Sequence, residues 1–307
     1  MNPASFPSNP LPRPFMTGFG PKQSLATRPR AFKTQLAWIN GQMIPFDPAN
    51  APLLNPTRQD GATVSARIRG YATSRGPAVF RLHEQMARFW HSAQALGLGE
   101  PRFTLEQLCQ AVFGVIEGNG LSDCVVRPQL FASADKHEPT ITIDAWPCEP
   151  FLGAEVRMST QTRRSESPLL QAKTNSDAAI MLDPDGFVSA WTSGTLFLVR
   201  DNVLYAPDGP THDGVMRDTV FSLAHDGGYQ VASRRLSREA LLAADELFVC
   251  GPMADVMAVT RVDDRLIGQG KMGRVTQKMQ AMLDDTVRGR NRRSLYWLEY
   301  VVTQPVF

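Results

Sequence analysis

The chain has 307 residues, of which 43% are hydrophobic and 20% are charged, and its formal net charge is +2. These values are typical of a soluble globular protein, and for this length we favour two moderate domains over one long one. They give no reason to expect a nucleic-acid or membrane partner, because no basic run is paired with an aromatic stacking platform and no apolar run approaches the roughly 20 residues that cross a bilayer.

The N-terminal part of the chain changes character near residue 35. Residues 1–34 repeat proline together with Ser, Gly and Arg, so we expect a disordered arm or one draped over a partner subunit. Two short apolar segments then flank Asn40 and Gly41, a dipeptide that favours a tight hairpin turn. Alternating strands and two amphipathic helices follow, and this pattern predicts a small α+β domain over residues 35–147.

Proline and glycine interrupt the pattern at residues 148–153, which predicts an interdomain loop. Before that loop, the second helix is predicted to begin at Thr104, with Gln107 completing a capping box. After it, residues 154–307 read as short strands with helices near 214–226, 237–244 and 274–288. Short strands without a regular βαβ rhythm predict an α+β or barrel-like domain.

The four cysteines are widely separated and form no CxxC pair. This spacing argues against a zinc site or a disulfide framework and fits a reducing compartment. We therefore expect a cytoplasmic protein without a structural metal. Cys250 is expected to belong to the core rather than to act as a nucleophile.

Several phrases, in order, resemble the class IV aminotransferases, the fold-type IV pyridoxal-phosphate enzymes that include branched-chain and D-amino-acid aminotransferases. The resemblance covers residues 37 to about 290, and it rests on phrases such as "AWINGQMIP", "FRLHEQMARFWHSAQALG", "VVRPQLF", "GVMRDTVFSLAHDGGYQV" and "LSREALLAADELFVCG". It implies a D-amino-acid aminotransferase-like fold, with a small α+β domain, a larger barrel-like domain and pyridoxal phosphate between them. It also implies a homodimer.

The resemblance assigns roles to individual residues. Lys173 matches the lysine that bonds to the cofactor and moves a proton, Arg88 matches an arginine that meets the cofactor phosphate, and Arg127 matches one beside the substrate. The helix start that cradles the phosphate corresponds to Gly214, Val215 and Met216. Without the resemblance, Lys173, Arg88 and Arg127 would each be interpreted as an ordinary solvated side chain.

Other positions depart from the family pattern. Ala190 replaces the glutamate that holds a proton on the pyridine nitrogen, and Trp191 adds bulk where the family has glycine. Met216 and Pro252 replace the phosphate-binding threonines, and Pro252 has no N–H to donate. Asp60 replaces a tyrosine and would repel a phosphate or a carboxylate.

Two further features concern the same site. His212 adjoins the phosphate-binding turn, where it is either a general base or part of a turn that caps the next helix. The stretch from Lys173 to Leu182-Asp183 is about 17 residues shorter than in the family, too short for the helix that the family has there.

The sequence therefore predicts a class IV aminotransferase homologue with an eroded cofactor site, repurposed or independent of pyridoxal phosphate. We expect it to act on a small anionic metabolite at the interdomain cleft. One alternative is an active divergent pyridoxal-phosphate aminotransferase or lyase acting on an amino acid. The other is a non-catalytic dimeric binding or scaffold subunit.

Overall fold

The computed structural model describes residues 36–45, 63–98, 102–132, 139–148, 155–162, 179–191, 194–208, 214–251 and 255–301. Several predictions fall outside these described residues. They concern the N-terminal arm, residues 149–153 of the interdomain loop, Asp60, Lys173, His212 and Pro252.

The first part of the chain forms strands and two helices. They are β1 (Leu36–Ile39), β2 (Gln42–Pro45), β3 (Thr63–Ser65), β4 (Ile68–Thr73), β5 (Gly76–Phe80), α1 (Leu82–Ala95), α2 (Leu105–Gly118), β6 (Cys124–Phe131) and β7 (Thr140–Pro147).

The second part is richer in strands. Its elements are β8 (Glu155–Thr162), β9 (Ala179–Leu182), β10 (Val188–Trp191), β11 (Thr195–Arg200), β12 (Val203–Pro207), α3 (Val215–Asp226), β13 (Gln230–Arg234), α4 (Arg238–Leu242), β14 (Glu246–Gly251), β15 (Asp255–Val262), β16 (Arg265–Leu266), α5 (Arg274–Val287), α6 (Ser294–Trp297) and β17 (Leu298–Tyr300).

These strands form two sheets. The first has the order β17-β5-β4-β6-β7-β1-β2, with β3 paired to β6, and the second has the order β10-β9-β8-β15-β14-β11-β12-β13, with β16 paired to β15. Every pairing in the first sheet is antiparallel, whereas β8 runs parallel to both β9 and β15 in the second. The two mixed helix-and-sheet units confirm the predicted α+β architecture.

Local sequence signals explain the first elements. Asn40 and Gly41 join β1 to β2 with φ angles of 45° and 97°, as a tight hairpin turn requires. The N-cap of α2 is Thr104, whose side chain accepts from the Gln107 amide while the Gln107 side chain accepts from the Thr104 amide. The predicted capping box is therefore confirmed.

Helices α1 and α2 cover one face of the first sheet, and strand alternation decides which side chains they meet. In β6 and β7, the residues in the helix-covered core include Val126, Leu130, Ile141 and Ile143. The intervening side chains point to the opposite face. We call this opposite face the polar face, because in β6 and β7 it carries Arg127, Gln129, Thr142 and Asp144.

One element of the second sheet was not predicted. Strands β12 and β13 pair in parallel, and α3 connects them, so the chain contains a βαβ unit where we expected no such rhythm. The sequence of β13, "QVASR", lacks clear apolar alternation, and all five of its side chains are exposed or half-buried. No helix in the described ranges is long and apolar enough to cross a membrane.

Candidate functional site

The structure brings Arg88 to the start of α3. Gly214 is the N-cap of this helix, and a Cβ added to it would lie 3.6 Å from Nη1 of Arg88. Gly214 has no side chain to cap the helix, and the first amides of any helix have no partner within it. An exposed guanidinium beside such a helix start forms a site for a phosphate or another oxyanion. Val215 and Met216, also predicted here, occupy the first turn.

Arg81 holds α1 against this helix start. Its Nη1 donates to the Val215 carbonyl at 3.2 Å and to Oγ1 of Thr219 at 2.9 Å, and it lies 2.7 Å from the Asp218 carboxylate. Burial would lower the pKa of Arg81, but hydrogen bonds to the carboxylates of Glu84 and Asp218 raise it, so the side chain stays charged. Sequence reasoning missed Arg81. It is the N-cap of α1, and an arginine where Ser, Thr, Asp or Asn is usual was a visible signal.

Arg127 lies on the polar face, where it forms a two-point ion pair with Asp144. Its Nε and Nη2 lie 2.9 and 2.8 Å from the two carboxylate oxygens, and Asp144 is fully buried. This pair fixes the guanidinium and offsets its charge. The substrate role of Arg127 stays a prediction. Asp144 was missed, and its signal was a lone carboxylate in the apolar strand "TITIDAW".

Two more arginines lie near this pair. Burial and the charge of Arg127 lower the pKa of Arg67. Arg69 is 2% exposed, and its Nη2 lies 3.9 Å from Asp255 at the start of β15. The hydroxyl of Tyr71 also donates to Asp255, at 2.6 Å. The polar face is therefore rich in positive charge and contacts the second sheet through Asp255.

Asp255 is half-buried and has an unusual backbone conformation. Its φ of 43° is in the left-handed region, which non-glycine residues seldom adopt. Burial raises the pKa of its carboxyl group, and Arg69 and Tyr71 oppose that shift. Strained backbone and a perturbed carboxyl group often mark functional sites, but here the Tyr71 bond also gives Asp255 a structural role between the two sheets.

The strand that carries Ala190 is in place, but the residue brings no acid. Ala190 pairs with Met181 of β9, and Trp191 pairs with Ile180. The side chain of Trp191 lies outside the described part of the structure. Its predicted contact with a substrate stays a prediction. Alanine ends in a methyl group and has no acidic oxygen, so the predicted loss of the acid follows from the sequence alone.

Lys173 falls between β8 and β9. These strands are parallel, with Thr162 opposite Leu182, and residues 163–178 connect them. A parallel pair needs a crossover of roughly a dozen residues or more, so this connection is long enough for one. The position of the lysine relative to Arg88 is not described.

The described cysteines lie in or beside the cores. Cys250 is fully buried, and burial raises its pKa, which confirms that it belongs to the core. Burial likewise raises the pKa of Cys109 and of Cys124 to about 12, so neither thiol is activated. In the ranges that the structure describes, no cluster of three or more His, Cys, Asp or Glu side chains is arranged to hold a metal ion.

Arg88 and the start of α3 suit the phosphate of pyridoxal phosphate. The loss of the ring-nitrogen acid at Ala190 stays a prediction from the family resemblance. The geometry therefore supports anion binding more directly than it supports any particular reaction.

Comparisons with known proteins show which family this chain resembles. The family model "Amino-transferase class IV" matches residues 169–262. The branched-chain-amino-acid aminotransferase of Pseudomonas aeruginosa is 28% identical over 293 residues, which cover 85% of this chain and 95% of that protein.

Solved structures of branched-chain amino acid aminotransferases are also similar. One such enzyme, in complex with N-(5'-phosphopyridoxyl)-L-glutamate, superposes with a TM-score of 0.80 at 31% identity, covering 88% of this chain and 99% of that one. Its complex with 4-methylvaleric acid gives a TM-score of 0.78 at 31% identity, with the same coverage.

Proposed function

The chain belongs to the class IV aminotransferases, and we propose that it is a divergent member that binds a small anionic molecule but has abandoned ordinary transamination. The observation that carries the proposal is the meeting of Arg88 with the start of α3. It is joined by a departure in the sequence, where Ala190 replaces the acid that the family resemblance implies. The first feature supports retained anion binding, and the second supports changed chemistry.

Pyridoxal phosphate is the first ligand to consider, because a solved relative carries a phosphopyridoxyl compound. When bound, it supplies an electron-accepting ring, and a protonated ring nitrogen strengthens that property. Arg88 and the first-turn amides of Val215 and Met216 would hold its phosphate. If the ring accepts electrons less well because its nitrogen is not protonated, the cleft would retain acid–base chemistry or ligand binding.

The other predicted residues take roles in this proposal. Lys173 acts as an amine or as an acid–base group, and Arg127, fixed by Asp144, lines the substrate end. We propose that Asp60, Trp191 and His212 also contact this substrate. We propose a homodimer, which sedimentation of the purified protein would test directly.

An active pyridoxal-phosphate aminotransferase is the second candidate. The retained arginine at the helix start favours it, as does the similarity to named branched-chain aminotransferases. It requires that another group take the place of the missing acid.

Titration with pyridoxal phosphate and with inorganic phosphate tests both candidates. We expect both compounds to bind, and Arg88→Ala to weaken both by about tenfold or more, as the loss of a charge-assisted contact implies. Arg200→Ala, which removes an exposed arginine elsewhere, should change neither affinity. Unchanged phosphate affinity in Arg88→Ala would contradict the proposed anion site.

Turnover separates the two candidates. With pyridoxal phosphate present, we expect wild-type protein to transfer no amino group from leucine, isoleucine or valine to 2-oxoglutarate, and Ala190→Glu to gain some transfer. Transfer by the wild type that is lost in Lys173→Ala would establish the second candidate instead.

A further inference from the structure

Three side chains form a row across the polar face. Ser65 of β3 lies opposite Gln129 of β6, and Gln129 lies opposite Thr142 of β7. Directly opposed side chains in a sheet have their Cβ atoms about 5 Å apart. The three therefore share one local environment, next to the row formed by Arg127 and Asp144.

Two members of this row are buried without hydrogen bonds. Gln129 and Thr142 are both 0% exposed. Within the described structure, Nε2 and Oε1 of Gln129 and Oγ1 of Thr142 have no hydrogen-bond partner. Most buried polar groups in proteins have one, and each buried group left without a partner costs roughly 1–3 kcal/mol. Two such side chains facing one another are unexpected in a purely structural sheet.

The neighbouring ion pair does not supply hydrogen-bond partners to Gln129 or Thr142. Arg127 directs Nε and Nη2 at Asp144, and the two carboxylate oxygens receive those donors. The charges of this pair offset each other. What remains beside it is an uncharged set of one amide donor, one amide acceptor and one hydroxyl group.

The row is buried at its centre but accessible at its ends. Ser65 is exposed at one end, and Ile39, which lies opposite Thr142 on the far side, is only half-buried. Arg127 is two residues from Gln129 on the same strand and face, so the row adjoins the predicted substrate end of the site.

We infer that Gln129 and Thr142 form a specificity subsite for the primary carboxamide of a small carboxylic-acid ligand. A carboxamide offers a donor and an acceptor that pair with Oε1 and Nε2 of Gln129, and the Thr142 hydroxyl accepts or donates a further bond. The inference rests on the proposed function, since the carboxylate end of the ligand is assigned to the anion-binding cleft.

A carboxylate fits the same place less well. It would satisfy Nε2 of Gln129, but its charge would face Oε1 of Gln129 and the buried Asp144. Arg67 would attract a carboxylate, whereas the charge of Arg127 is already offset by Asp144. An aliphatic group would leave all three polar atoms of the row unpaired, which a hydrogen-bonding subsite strongly disfavours.

Three ligands of nearly the same shape test the inference by calorimetry. They are 4-methylvalerate, succinamate and succinate, which end in two methyl groups, in a carboxamide and in a carboxylate. We expect wild-type protein to bind succinamate about tenfold or more tighter than 4-methylvalerate, as one good hydrogen-bonded pair implies. Gln129→Leu and Thr142→Val should each remove most of this preference.

A satisfied buried glutamine provides the matched control. Nε2 of Gln280 donates to the Val256 carbonyl at 2.9 Å, and Gln280 is 8% exposed. Gln280→Leu should lower the melting temperature and leave the preference for succinamate unchanged. Gln129→Leu removes unpaired groups, so we expect its unliganded form to melt no lower than the wild type. Gln129→Met serves as a second variant if Gln129→Leu does not fold.

Several results would overturn the inference. Tighter binding of 4-methylvalerate or of succinate than of succinamate would do so, as would the failure of all three to bind. An unchanged preference for succinamate in both variants would also overturn it. In that case Gln129 and Thr142 would only bind a buried water molecule. Phosphate binding measured on the same samples reports on Arg88, so failure of the carboxamide subsite and failure of the anion site are distinguishable.

Discussion

Both ring nitrogens of His83 lie beside carboxylates. Nδ1 is 2.5 Å from Glu299 and Nε2 is 2.9 Å from Glu106, so the ring can donate to both only when it carries both protons. Hydrogen bonds to Glu106 and Glu299 raise the pKa of His83 accordingly. One side chain thus links α1 to α2 and to the returning strand β17.

This arrangement predicts a pH-dependent contribution to stability. Because the folded-state pKa of His83 is raised above 6.5, its contribution is complete below that value and is lost as pH rises through the folded pKa. His83→Gln should therefore cost most near pH 5.5 and least near pH 9, by up to about 1 kcal/mol for such exposed pairs. Urea unfolding at several pH values measures the difference.

His91 supplies the control on the same helix. Its Nδ1 lies 2.9 Å from the Ala87 carbonyl, a neutral group that belongs to its own turn. His91→Gln removes only this contact within one turn, so it shows what a histidine-to-glutamine change on α1 does without a carboxylate partner. If His83→Gln costs the same at both ends of the pH range, the carboxylate contacts contribute nothing measurable.

Single residues also show what the sequence could foretell. Arg88 and Gly214 were placed together by resemblance, and the structure brings them together. The sequence did not predict a role for Asp144, Gln129 or Thr142. The environment of a polar residue in a strand is decided by the residue opposite it on the next strand. That pairing depends on register between strands, which composition and alternation do not determine.

At the scale of helices and strands, local sequence signals predicted some elements and gave no indication of others. The hairpin at Asn40 and the capping box at Thr104 arise within a few residues, and both were predicted. Strands β13 and β17 depend on distant partners. β17 has only three residues, "LEY", and it forms because β5 offers an edge to pair with, more than 200 positions earlier in the chain.

Two glycines, one beside the contact between β11 and β14 and one in α2, should respond in opposite ways to substitution by alanine. A Cβ on Gly194, just before β11, would lie 2.0 Å from the Cys250 carbonyl oxygen, whereas a Cβ on Gly114 in α2 would meet nothing within 4 Å. Gly194→Ala should destabilise by about 2 kcal/mol or more through overpacking. Gly114→Ala should stabilise by up to about 1 kcal/mol, because glycine is a poor helix former.

Chemical denaturation of the two variants checks this pair. Equal effects, or a stable Gly194→Ala protein, would mean that β11 and β14 do not approach as closely as described. Thermal melting of the double variant should show additive effects, since the sites lie in different parts of the fold.

At the scale of the whole molecule, the two sheets share a core. One cluster contains Tyr71 and Phe80 from the first sheet together with Phe197 and Phe248 from the second. Strand β17 then returns the end of the described chain to the first sheet, with Leu298 opposite Phe80, although these residues fall within the predicted second domain. We therefore expect the two parts to unfold together.

Two leucines near the C-terminus test this expectation. Leu298 is 6% exposed in the shared core, and Leu295 is 66% exposed on α6. Leu298→Ala should cost about 2–3 kcal/mol, typical of a buried leucine, and should speed hydrogen exchange in β5 and in β14 alike. Leu295→Ala should stay within about 0.5 kcal/mol of the wild type. Faster exchange in β5 alone would show that the two sheets open independently.

The βαβ unit of β12, α3 and β13 has a consequence for how such a protein evolves. Its helix begins at Val215, so the amides at Gly214 and beyond present their partial positive charge whatever side chains surround them. This partial charge depends on the backbone alone, so substitutions of nearby hydroxyl groups or acids leave it in place. A chain whose reaction changes therefore keeps the positive end of this helix.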